Sequence, residues 1–73
     1  MKHTEIKVGK TYFHRFEGKE WHVKVVDVFE DRHRWGWEGR LVGQQNGIED
    51  GSPCWGWCDE LKKRARVGDM VRQ

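Results

Sequence analysis

Between residues 20 and 29 the chain reads Glu-Trp-His-Val-Lys-Val-Val-Asp-Val-Phe, and no other stretch limits the fold as tightly. Trp21, Val23 and Val25 alternate with His22 and Lys24. That is the period of a strand with one buried face, whereas a helix would repeat its apolar residues three and four apart. Val26 and Val28 make the far half apolar on both faces, which predicts a strand half exposed at first and then wholly buried. Such a strand needs partners. Nine glycines and one proline divide the rest of the chain into short pieces, and these also read as strands: Lys10 to Phe16, Arg34 to Gly43, Pro53 to Cys58 and Arg66 to Val71. Asp59 is placed to cap a single helical turn running through Lys63.

The turns set the expected registers. A Gly18-Lys19 turn of type II′ pairs Phe16 with Trp21, His14 with Val23 and Tyr12 with Val25, gathering the apolar residues on one face. A three-residue turn would instead pair His14 with His22 and Tyr12 with Lys24. A one-residue slip exchanges the faces, so coherent burial selects the two-residue turn. Asn46-Gly47 signals a type I′ turn. Its register sets Trp37 across from Gly56 and Trp57 across from Gly36, with a ring shielding each bare backbone. Trp35 and Trp37 then share one face, and Trp55 and Trp57 the other. The two segments also echo each other: Trp35-Gly36-Trp37 leads to Leu41 as Trp55-Gly56-Trp57 leads to Leu61.

Seventy-three residues hold one domain, expected to span 1–73 with 1–5 and 72–73 frayed. A chain this short buries only about 60% of its unfolded surface. Five tryptophans, three phenylalanines and a tyrosine compensate, since each large ring removes about 150–250 Å² from water. The net charge of +2 is too mild to announce a nucleic-acid partner. Its distribution is uneven: from Leu61 onward five basic residues face one acid, a balance of +4, which leaves −2 for residues 1–60. No stretch approaches the roughly 20 apolar residues of a membrane span, and no apolar segment follows the first residues as in a secretory signal. The expectation is a cytoplasmic protein with reduced thiols and no membrane partner.

Taken together, the expected class is mainly all-β: a small barrel, or a strongly bent antiparallel sheet of about five strands, with one short helical turn near the C-terminus. The layout resembles the SH3-like small barrels, including Tudor and KOW-type modules. The resemblance is carried by Val8-Gly9-Lys10-Thr11-Tyr12, the strand from Trp21 to Val28, Gly39-Arg40-Leu41-Val42-Gly43 and a short turn before the last strand. It implies a closed barrel and a ligand surface built from aromatic residues near the loops. The short barrels of plasmid-borne dihydrofolate reductases carry a Val-Gln-Ile-Tyr run that does not occur here.

Reactive chemistry has little support. Cys54 and Cys58 on one strand would lie roughly 13 Å apart at about 3.3 Å per residue, beyond the reach of a disulfide. Two further ligands for zinc are missing at readable spacing. The histidines His3, His14, His22 and His33 complete no metal motif, and no nucleophile constellation or phosphate-cradling glycine loop is present. No cofactor is expected. Asp27 shares a face with Val25 and Phe29 by simple alternation, which puts it at a rim or beside a partner.

Aromatics beside cations are the feature that points to function. Trp35, Trp37, Trp55 and Trp57 with Arg32, Arg34 and Arg40, together with Lys62, Lys63, Arg64 and Arg66, make a candidate ligand surface. Such surfaces stack the bases of single-stranded nucleic acid and also anchor protein interfaces. The expected function is a non-catalytic binding module, with nucleic acid ahead of the alternative, a protein-interaction or self-assembling domain with a tryptophan-rich subunit interface.

Overall fold

Each alternating segment finds an antiparallel neighbour through a short connection. The computed structural model describes residues 1–63. Five strands form one antiparallel sheet: β1 (Thr11–Phe16), β2 (Lys19–Asp31), β3 (Arg34–Leu41), β4 (Pro53–Trp57) and β5 (Leu61–Lys62), in the order β4-β3-β2-β1-β5. Two 3-10 turns, His3–Glu5 and Cys58–Glu60, complete the elements. Among the described residues no helix is long and apolar enough to cross a membrane. The strand expected over Arg66 to Val71 lies outside the described residues.

The helical turn near the C-terminus is shorter than expected. It covers Cys58–Glu60 and gives way to β5, where Leu61 faces His14 and Lys62 faces Phe13 across the ladder. Leu61 is fully buried, and an extended backbone delivers its side chain to the core while carrying Lys62 outward. β4 and β5 are the two edges, and among the described residues no ladder joins them. Over the described residues the sheet is therefore open, not a barrel closed by hydrogen bonds. It curls nonetheless: a β-carbon on Gly56 of β4 would stand 2.8 Å from His14 Nε2 of β1, three strands away.

The first hairpin turns one residue earlier than expected. Glu17 (φ 51°) and Gly18 (φ 76°) occupy the two central positions, pairing Phe16 with Lys19, His14 with Trp21 and Tyr12 with Val23. Left-handed values at both positions make a type I′ turn, whose twist matches the strands. Glutamate adopts that region rarely, which is why the residue types point to Gly18-Lys19 instead. The observed register differs from the expected one by two residues along the partner strand, so the face assignment is unchanged. Phe16 nevertheless ends β1 52% exposed, outside the core.

A bulge in β2 decides the rest of the sheet. Val25 pairs with Gly39 but Asp27 pairs with Glu38, leaving Val26 as the extra residue. At Gly39 a β-carbon would run into the Lys24 carbonyl oxygen, so the bulge closes only over glycine. The extra residue shifts the alternation. Val25 and Val28 both pack inward, while Val26 and Asp27 are exposed. Two expectations change accordingly: the far half of β2 is not wholly buried, and Asp27 does not share a face with Val25.

The second hairpin register is as expected, with Trp37 opposite Gly56 and Trp57 opposite Gly36. Asn46 and Gly47 are both left-handed, at 49° and 82°, and Gln45 and Ile48 exchange backbone hydrogen bonds of 2.9 and 2.7 Å around them. Gln45 also pins the loop to β2: its Oε1 accepts from the His22 N–H at 2.7 Å, and its Nε2 donates to the His22 carbonyl at 2.8 Å. The core comprises Ile6, Tyr12, Val23, Val25, Trp37, Leu41, Cys58 and Leu61. Residues 1–5, expected to fray, are folded onto it. The Met1 amine donates to the carbonyls of Cys58 and Leu61 at 2.9 Å each, and His3 stacks on Trp35 at 3.8 Å.

Candidate functional site

The two tryptophan pairs have separate fates. Trp37 is fully buried, which takes it out of the candidate ligand surface, and Trp35 is half-buried against the core under His3. Trp55 is 63% exposed and meets Trp57 edge to face at 5.8 Å. Trp57 was expected to shield Gly36, but the Phe29 ring does so, 2.8 Å from where a β-carbon would stand.

The cations are divided too. Arg34 lies over the Trp57 ring at 4.3 Å and pairs with Asp59 at 3.1 Å. Arg40, on the same outer face, donates to the Gly51 carbonyl at 3.4 Å, and Arg32 sits in the β2–β3 turn at φ 49°. Lys62 and Lys63 are exposed at the β5 end of the ladder. Arg64 and Arg66 lie outside the described residues. Glu38 pairs directly with Trp55 in the β3–β4 ladder, and Asp27 follows on β2. Among the described residues, Trp55 and Trp57 thus stand in a field of both signs.

What the structure adds is a cleft along the β4 edge. The inward positions of β4 hold Cys54 and Gly56, both small, and these leave a cleft of about 410 Å³. Its walls include Phe16, Trp21, Leu41, Ile48, Pro53 and Trp55, and His14 and Glu60 lie at the Gly56 end. Nothing in the local sequence announces the cleft, because β1 and β4 meet there only through the curl of the sheet.

Among the described residues the backbone of that edge has no ladder partner, and its free groups follow a pattern. The Leu41 N–H donates to the Ser52 carbonyl at 2.9 Å. Bonded and non-bonded pairs alternate along an antiparallel ladder, so Gly39–Cys54 and Trp37–Gly56 are bonded. Pro53, Trp55 and Trp57 therefore turn their backbone groups to the open edge. Pro53 has no N–H to offer, and the Trp57 N–H reaches Glu60 Oε1 at 3.4 Å. The N–H and carbonyl of Trp55 remain at the middle of the edge. Among the described residues, the buried Nε1 of Trp21, which also lines the cleft, has no hydrogen-bond partner.

Cys54, His14 and Glu60 all line the cleft, and their types are those of a thiol nucleophile with its base. The arrangement does not activate the thiol. Burial pushes Cys54 up to about 11, against a smaller opposite pull from Arg40, whereas a nucleophilic cysteine is held low. Burial likewise raises Cys58, with the Met1 ammonium opposing and Asp59 adding to the rise. Both cysteines are free. Among the described residues no three His, Cys, Asp or Glu side chains gather as metal ligands. His14 is buried, edge-on to Trp37 at 5.1 Å, and its Nε2 faces Glu60 Oε1 at 3.5 Å. That contact and the one to Trp57 are both long, so the Glu60 carboxylate, 42% exposed, is only loosely held. Comparison of the chain with known protein families, with curated proteins and with solved structures found no match.

Proposed function

We propose that this chain is a non-catalytic binding module that takes an extended protein segment along the open edge of β4. One observation carries the reading: a strand edge with no ladder partner among the described residues, with the Trp55 backbone groups facing outward, runs beside an apolar cleft of about 410 Å³. Strand addition draws affinity from main-chain hydrogen bonds and specificity from pockets for alternate side chains, and this edge supplies both. The strand order, with a 3-10 turn immediately before β5, supports the resemblance to SH3-like barrels. A single-stranded nucleic acid is the second reading, favoured by Arg34 stacked on Trp57 and weakened by Glu38 beside Trp55, with Asp27 one strand further on.

Chemical-shift mapping separates the two. The chain is titrated with an extended Thr/Leu pentapeptide and, separately, with a short oligothymidylate. Peptide-induced shifts centred on Cys54, Trp55 and Gly56 support strand addition. Shifts at Arg34 and the Trp57 indole with the oligonucleotide alone, fading with salt as phosphate contacts do, would transfer the function to the second reading.

A further inference from the structure

The β4 edge also carries a sequence preference, and this inference rests on the function proposed above. In an added strand, the residue paired with Trp55 shares its outward face, so the residues on either side of it point inward over the cleft. One inward position falls beside Cys54, where Leu41, Ile48, Trp21 and Phe16 form apolar walls. The other falls beside Gly56, where Glu60 is the ionic group at the lip and its carboxylate has acceptor capacity to spare. We infer that the occupant is an extended polypeptide segment carrying a lysine or arginine and a bulky aliphatic residue two positions apart. The cation lies over Gly56 toward Glu60 and the aliphatic side chain beside Cys54. In the stronger, antiparallel pairing the cation comes first, giving basic–x–aliphatic.

The probe is the blocked pentapeptide Thr-Lys-Thr-Leu-Thr, with Thr-Thr-Thr-Leu-Thr and the reversed Thr-Leu-Thr-Lys-Thr as comparisons, followed by NMR titration and amide exchange. The lysine peptide is expected to bind most tightly, and Glu60→Gln to weaken it about three- to fivefold, as for a half-exposed ion pair, while leaving the Thr-Thr-Thr-Leu-Thr peptide unaffected. Exchange of the Trp55 amide is expected to slow at least about tenfold at saturation, the mark of a new backbone hydrogen bond. Trp55→Pro, which removes that donor at an edge position that tolerates proline, should abolish the slowing and weaken binding. The exchange measurement decides the matter if that variant does not fold. Equal affinities for the lysine peptide and the Thr-Thr-Thr-Leu-Thr peptide would sink the basic–x–aliphatic preference while the strand-binding reading stands. Binding without slowed Trp55 exchange would overturn strand addition. Failure of every peptide to saturate at millimolar concentration would remove the proposed function as well. A dimer that forms without peptide and is lost in Trp55→Pro would assign the edge to a second copy of the chain and overturn the inference.

Discussion

The β-carbon that Gly56 lacks would stand 2.8 Å from Nε2 of His14, although two strands separate β4 from β1 in the ladder. The same approach curls the sheet and leaves room for the cleft. Gly56→Ala is expected to cost about 1–3 kcal/mol by overpacking, read from the urea midpoint. In a His14→Ala background the nearest obstacle is gone and only Trp37 Nε1, at 3.1 Å, still crowds the site, so the same substitution should cost less. Equal costs in both backgrounds would show that the two strands do not meet.

Trp37 and Trp55 occupy opposite faces of one β3–β4 ladder, and their truncations should differ accordingly. Trp37→Ala is expected to lose about 3–5 kcal/mol, as for other buried aromatics. Trp55→Ala should stay within about 0.5 kcal/mol, like most substitutions at exposed positions. Comparable losses at the two positions would contradict the assignment of Trp37 to the core and Trp55 to the surface.

Glu17 holds a left-handed backbone at φ 51° in the first hairpin. Asparagine suits that position of a type I′ turn better than glutamate. Glu17→Asn is therefore expected to stabilise the protein by about 0.5–1 kcal/mol, raising the thermal midpoint by a few degrees. A lowered midpoint would mean that the turn is not type I′ in solution.

Burial holds the Cys54 thiol up at about 11, where its ordinary value is 9.0. Only the thiolate reacts, so Cys54 alkylation in the folded protein should run about a hundredfold slower than in urea at pH 8. The linkage has a definite sign. The folded state keeps its proton longer, so this stabilisation is complete below pH 9 and is lost as pH rises toward 11. Mass-resolved iodoacetamide kinetics on Cys54 check the first point; equal folded and unfolded rates would refute it.

Alternation along residues 20–29, glycine punctuation and Asn46-Gly47 were enough to determine an antiparallel all-β chain, its first four strands and the second hairpin register. These are local properties, set by side-chain period and by the backbone angles a turn residue tolerates. The same pattern separated the tryptophans into two face-sharing pairs. Which pair was core depended on the curl of the sheet, since only the approach of β1 to β4 gives the face of Trp37 an inside. The bulge at Val26 was equally illegible: it depends on Gly39 yielding to a carbonyl from another strand. The turn at Glu17-Gly18 ran against residue preference because pairing along the whole hairpin outweighs one strained φ. The cleft was the last to emerge, for it belongs to no segment. Two small residues on an edge strand become a binding site only where tertiary packing brings His14, Trp21 and Glu60 around them.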